Sequence, residues 1–266
     1  MMKEKIKPDV IETLRESMHL DDPFLVRFGR YVWDALHGDL GTSYKLKTPV
    51  TKLIASAFPT TMKLAVLAAL FAWIVGIPIG IVSAVKKNTW IDHLFMGFSL
   101  FGVSMPVFWI GLILQNTFKF VLPVSGFDSW KHMILPTIVL GWSSSGTIAR
   151  LTRSSLLEVM RNDYIRTARA KGLTELLVIT THAFKNAIIP VVTVMAIQLA
   201  SLLSGAVITE TIFSIPGIGR LSVNAIENRD APLLQGTVIF TAALIIAGNL
   251  VADLLYSVID PRIRVD

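Results

Sequence analysis

Little in this sequence could make or break a covalent bond. There is no cysteine, which excludes thiolate nucleophiles, disulfides and Cys-ligated metals. The five histidines, His19, His37, His93, His132 and His182, are too scattered to form an H-x-x-x-H pair. No G-x-x-x-x-G-K-[ST] run is present to cradle a nucleotide phosphate, so any ATP must be hydrolysed by another chain. Ser143, Ser144 and Ser145 supply hydroxyls, but no histidine or aspartate is spaced to activate them. No catalytic residue, metal ligand or cofactor is expected.

The residues that could act do so by binding. Gln115, Asn116, Gln198, Asn249 and Asp253 fall within or near long apolar runs. Polar groups at membrane depth face a bundle interior, where they bond between helices or line a path. Asn249 and Asp253 are four apart and share a helix face. Gln198 and Asn249 are the candidate pore-lining residues. The second feature is the basic stretch 150–186, too long for a plain turn between two apolar runs. Its centre, Asp163 to Gly172, reads as a short helix with Asp163 as N-cap and Gly172 at the left-handed C-terminal position. Tyr164, Ile165 and Ala168 make a small apolar patch, while Arg166, Arg169 and Lys171 keep the rest wet. Such a helix suits docking into a partner's groove. The plainer alternative is a basic loop that only fixes topology.

The elements that must hold these residues are membrane spans. The chain has 266 residues, 53% hydrophobic and 17% charged, whereas a water-facing domain carries about 25% charge. The apolar residues come in runs of roughly the 20 residues needed to cross a bilayer. Five are expected: Met62–Val85, Leu94–Phe118, Met133–Ile148, Ala187–Ile208 and Leu234–Ile259. The third is short and rich in small polar residues, which suits the bundle interior. Lys and Arg set the orientation. Eleven of them (Lys86, Lys87, Arg150, Arg153, Arg161, Arg166, Arg169, Lys171, Lys185, Arg262, Arg264) fall on one side. Four (Lys119, Lys131, Arg220, Arg229) fall in the internal loops of the other. The first side, including the tail 260–266, is therefore expected in the cytoplasm. The net charge of +6 belongs to this topology signal rather than to nucleic-acid binding, because no aromatic stacking platforms are interleaved with the basic residues.

Residues 1–61 then lie outside, with nine basic and eight acidic residues and nothing resembling a signal peptide. Within them Asp9–Met18 reads as an amphipathic helix, and Asp21-Asp22-Pro23 as the start of another. Pro78 and Pro106 lie inside apolar runs, where neighbours in a membrane bundle can satisfy the freed carbonyls. Gly76 and Gly80 form a small-x-x-x-small pair suited to close helix packing, with a hinge at Pro78 as the sharper reading. Trp109, Trp130 and Trp142 are expected near helix ends, at the interface. Glu210, just beyond the fourth run, is expected to anchor the outer loop.

Several stretches carry a family resemblance. Asp163-Tyr164-x-Arg166-Thr167-Ala168-Arg169-Ala170-Lys171-Gly172 is followed by His182-Ala183, Asn186-Ala187 and Pro190-Val191. Gly38-Asp39-Leu40-Gly41-Thr42-Ser43, Pro59-Thr60, Pro216-Gly217-Ile218-Gly219-Arg220-Leu221 and Asp260-Pro261-Arg262 stand around them in order. Together they resemble the first permease subunit of binding-protein-dependent ABC importers of the dipeptide/oligopeptide/nickel branch, over roughly residues 9–264. The general EAA loop of such permeases, E-A-A-x-x-x-G followed by I-x-L-P, is met only as Arg166-Thr167-Ala168-x-x-x-Gly172, with His182-Ala183-Phe184-Lys185 in the second position. The peptide/nickel branch diverges in the same way.

The resemblance implies an all-α, type I ABC-importer permease bundle with a cytoplasmic coupling helix. It implies half of a translocation pore in the inner membrane, completed by a second permease subunit. ABC ATPase subunits would dock at Tyr164, Arg166, Thr167, Ala168, Arg169, Ala170, Lys171 and Gly172, and an extracytoplasmic binding protein would deliver substrate. Di- or oligopeptides are the expected cargo, with nickel chelates and sugars also carried in this branch. Family members begin with a transmembrane helix ahead of a segment like residues 9–61, so the resemblance implies that this helix is missing here. The rival readings are an ion-coupled secondary transporter or channel, which would show charges deep in the spans or broken-helix repeats, and a membrane-embedded enzyme.

Overall fold

The computed structural model describes residues 22–259, and among them the fold is a bundle of helices whose only bridge between extended segments joins Thr42 and Pro49. A first helix, α1 (Phe24–Leu36), follows Pro23, which is where the Asp21-Asp22-Pro23 signal places a start. The expected Asp9–Met18 helix and the tail 260–266 lie outside the described residues.

Helix α2 (Val50–Val85) is 36 residues long, about 54 Å at 1.5 Å per residue. It starts twelve residues before the expected Met62, so residues 50–61 extend this helix rather than belonging to a separate outer segment. Apolar side chains explain the extension: Val50, Ile54 and Ala57 are buried against Ile218, Ala225 and Leu233. Pro59 and Pro78 both lie inside the helix without ending it. The second expected span is instead two helices, α3 (Trp90–Ser104) and α4 (Val107–Phe118), bent by 102° at the break. Met105, just before Pro106, is extended at φ −79°, ψ 135°, the conformation a following proline imposes.

After a 3₁₀ turn (Trp130–Met133), α5 (Ile134–Val159) runs eleven residues past the expected Ile148. Next come the short α6 (Asp163–Ala170) and α7 (Glu175–Leu203), the latter widened by a π-helical stretch at Val178–Ala183. The fourth expected span thus starts earlier than Ala187 and stops at Leu203, because Ser204 and Gly205 interrupt it. Helix α8 (Val207–Ile212) is a separate piece, followed by α9 (Ile218–Glu227) and α10 (Ala231–Ile259).

Three of these helices, Val50–Val85, Glu175–Leu203 and Ala231–Leu254, are long and apolar enough to cross a membrane, and the α3–α4 pair makes a bent fourth. Helix α5 is long enough but too polar along its second half. It packs along α2, α3 and α7 and forms the bundle's axis. Its contacts are close because of glycine. A Cβ on Gly76 would sit 2.7 Å from the Ser145 carbonyl oxygen, and one on Gly80 would sit 2.6 Å from that of Ala149. Close packing is therefore what this glycine pair provides. Trp142 does not stand at a helix end as expected: it lies within α5, stacked 4.7 Å from Phe98 and filling the space above Gly102.

Candidate functional site

The basic end of the bundle carries α6. Its N-cap is Asn162, at φ −70° and ψ 149°, and Asp163 is the first helical residue, one position from the expected cap. Asp163 still lies in the first turn, where a carboxylate favours the helix dipole. The Thr167 hydroxyl donates to the Asp163 carbonyl at 3.0 Å. Lys171 closes the helix and Gly172 follows at φ +78°. That left-handed conformation is the one glycine adopts without strain, as the sequence led one to expect.

Two faces of α6 are distinguished by burial. Ile165 is fully buried and Ala168 is 7% exposed; both pack with Ala84 of α2, Leu156 of α5, and Val178, Ile179, Ala183 and Ala187 of α7. The expected patch of Tyr164, Ile165 and Ala168 is thus split: only Tyr164 reaches the surface, at 43% exposure. Ile165 and Ala168 are the root of the segment, not its contact face. Arg166, Thr167, Arg169, Ala170, Lys171 and Gly172 are all exposed. The Arg169 guanidinium donates to both carboxylate oxygens of Glu175, at 3.0 and 2.7 Å, joining α6 to the start of α7. Asn186 on α7 donates to the Tyr164 hydroxyl at 3.0 Å and to the His182 carbonyl at 3.3 Å. Packed side chains therefore join α6 to α2, α5 and α7 together.

The two candidate pore residues lie on different helices, α7 and α10, and differ in exposure. Gln198 on α7 is half-buried, and its side-chain oxygen has no hydrogen-bond partner among the described residues. Asn249 on α10 is exposed, as is Asp253 one turn on. Between them α7 and α10 meet closely, with Gly248 packed on Ala200. Gln115 is structural: its amide donates to the carbonyls of Val124 and Ile212 at 2.8 and 3.0 Å.

Three polar constellations join residues far apart in the sequence. Asp92 on α3, 2% exposed, forms a bidentate pair with Arg153 on α5 at 2.7 Å for each bond. Arg153 had counted only as a topology charge. At the opposite end Glu210 is fully buried; it accepts from the Thr61 hydroxyl at 2.8 Å and the Arg220 N–H at 3.1 Å, while Thr61 accepts from Ile218 N–H. Its role as an anchor of the 206–221 loop is as anticipated. Asp230 accepts from the Ser43 hydroxyl at 2.5 Å and the N–H groups of Tyr44 and Lys45, tying the 42–49 turn to the start of α10. Burial works to raise the Asp230 pKa, but these donors outweigh it and hold the carboxyl below its ordinary value.

Residues 76–265 match the family model described as binding-protein-dependent transport system inner membrane component. The dipeptide transport system permease protein DppB of Escherichia coli (strain K12) is 43% identical, the alignment covering 97% of this chain and 86% of the relative. DppB of Alkalihalophilus pseudofirmus is also 43% identical, over 99% of this chain and 89% of the relative. Among solved structures, a chain of the inward-facing MetNI methionine ABC transporter superposes with a TM-score of 0.67 at 15% identity, covering 78% of this chain and 96% of that one. A chain of an amino acid ABC transporter gives 0.62 at 17%, covering 80% and 95%. At that identity these two speak for the fold.

Proposed function

The chain belongs to the binding-protein-dependent transport system inner membrane components and is a permease subunit of an ABC importer in the inner membrane, and from that premise we propose that it forms half the pore of a peptide importer driven through α6. Membership of this family means that it works with a substrate-binding protein and an ATPase. A second permease subunit completes the pore, and ATP is hydrolysed only in the partner. The permease positions and gates; no bond is broken in it.

The peptide cargo rests on the two dipeptide permeases that are 43% identical over nearly the whole chain. The coupling role rests on a single geometric observation: α6 is rooted in three long helices by Ile165 and Ala168, yet presents Tyr164, Arg166, Thr167, Arg169, Ala170 and Lys171 outward. A partner that seats on the outward residues and changes shape with ATP biases the bundle between two arrangements.

Substitution of neighbours on opposite faces tests this. Ala170→Trp should leave the permease folded while abolishing co-purification of the ATPase and ATP-dependent dipeptide uptake by proteoliposomes. Ala168→Leu should lower stability first, because it overfills a closed site. Full uptake by Ala170→Trp would refute the docking assignment.

A further inference from the structure

An apolar groove of about 1000 Å³ opens on the outer flank of the bundle, between α2 and the beginning of α5. Val66, Leu67 and Phe71 form one wall, Ile134 and Ile138 the other. Lys63, Asp128 and Trp130 also line it, and all three are exposed. The Lys63 ammonium lies 5.7 Å over the Phe127 ring. Neither the Lys63 ammonium nor the Asp128 carboxylate has an ion pair or side-chain hydrogen bond among the described residues. Thr137 lines the groove as well, and its buried hydroxyl has no partner among the described residues.

The depth of these groups can be read along α2. Val85 ends the helix beside Lys86 and Lys87 at the basic end. Lys63 lies 22 residues earlier, about 33 Å away along the axis, close to the ~30 Å of a hydrocarbon core. Lys63 and Trp130, which is 73% exposed, therefore stand at the far headgroup level, where cations and tryptophans anchor. The groove hangs below them, within the leaflet remote from the basic loops.

We propose that this groove is a binding site for a phospholipid with a zwitterionic, phosphoethanolamine-type headgroup. The phosphate meets Lys63 and the ammonium meets Asp128, so one headgroup satisfies both charges. Thr137 donates to a glycerol-ester carbonyl, and an acyl chain fills the space between Val66, Phe71 and Ile138. A protein helix laid in the same groove would cover two unlike charges and a buried hydroxyl with no matched partners, which is costly. The lipid lies against the α2–α5 seam and braces it from outside. The inference needs only that the chain spans the bilayer, not that its cargo is a peptide.

The test uses the complete transporter extracted from native membranes. A photoreactive Val66→benzoylphenylalanine substitution should give an adduct with the mass of phosphatidylethanolamine on illumination; a polypeptide adduct, or no lipid adduct, overturns the proposal. In vesicles of mixed phosphatidylethanolamine and phosphatidylglycerol, native mass spectrometry should show the former retained. Lys63→Ala and Asp128→Asn should each lower that retention about fivefold, the effect of one charge contact near the membrane surface, and Ile138→Trp should remove it. Retention unchanged by all three, or a preference for phosphatidylglycerol, would equally overturn the assignment.

Discussion

Gly80 offers a quantitative test of how closely α2 and α5 approach. A Cβ built there lies 2.6 Å from both the Ala149 carbonyl oxygen and the Thr152 Cβ, against about 3.4 Å for ordinary contact. Gly80→Ala therefore forces the helices apart by as much as 0.8 Å (3.4 less 2.6) along the longest seam of the bundle. Overpacking of this kind costs about 1–3 kcal/mol, offset by up to about 1 kcal/mol from replacing a mid-helix glycine. The net loss of roughly 1–2 kcal/mol corresponds to a fall in Tm of about 2–8 °C for a domain of this size. Gly97, in the interior of α3, is the control, since a Cβ there meets nothing within 4 Å. Gly97→Ala should leave Tm unchanged or raise it. Thermal unfolding of the two purified variants in detergent reads the difference directly. Equal shifts, or a gain of stability in Gly80→Ala, would refute the close-seam geometry.

Other variants probe other joints. Asp92→Ala strands the Arg153 guanidinium, which is 26% exposed, and should cost about 3 kcal/mol, measured as a lower denaturation midpoint. Gly102→Ala should be worse tolerated than its chemistry suggests, because its Cβ would fall within the Trp142 ring; a change in tryptophan emission reports the displacement. Asp230 gives a pH dependence of known sign. Its folded pKa lies below the ordinary value, so its stabilisation is complete above the normal carboxylate range and is lost as pH falls through the depressed value. Asp230→Asn should be less stable at neutral pH and should lack that acid-side loss in a Tm-versus-pH series.

What the sequence discloses about this molecule is mostly local. Apolar runs reveal where helices lie, and Gly172 reveals the left-handed end of α6, since only backbone conformation is at stake there. The three prolines were harder to tell apart. Pro106 separates two helices, whereas Pro59 and Pro78 sit inside one, and that outcome depends on which neighbours lie beside the freed carbonyls. The apolar run alone starts α2 too late, because Lys52 and Ser56 interrupt it, although Val50, Ile54 and Ala57 bury one face. Ala168 reads as an open contact residue from its size alone; its burial depends on Val178 and Ala183 coming back from the next helix. Polar pairs are least legible of all. Ser43 meets Asp230 across 187 positions and Thr61 meets Glu210 across 149, and no spacing rule links residues so far apart.

A separate ATPase that holds α6 by its outward face should be within reach of a reagent placed there. The chain has no cysteine, so Ala170→Cys creates a unique thiol on that face. In the assembled transporter a short thiol-reactive bifunctional cross-linker should join it to the ATPase subunit, with a yield that changes when vanadate traps the nucleotide cycle. Cross-links to the extracytoplasmic binding protein, or none to the ATPase in a transport-competent complex, would rule out α6 as the ATPase's seat.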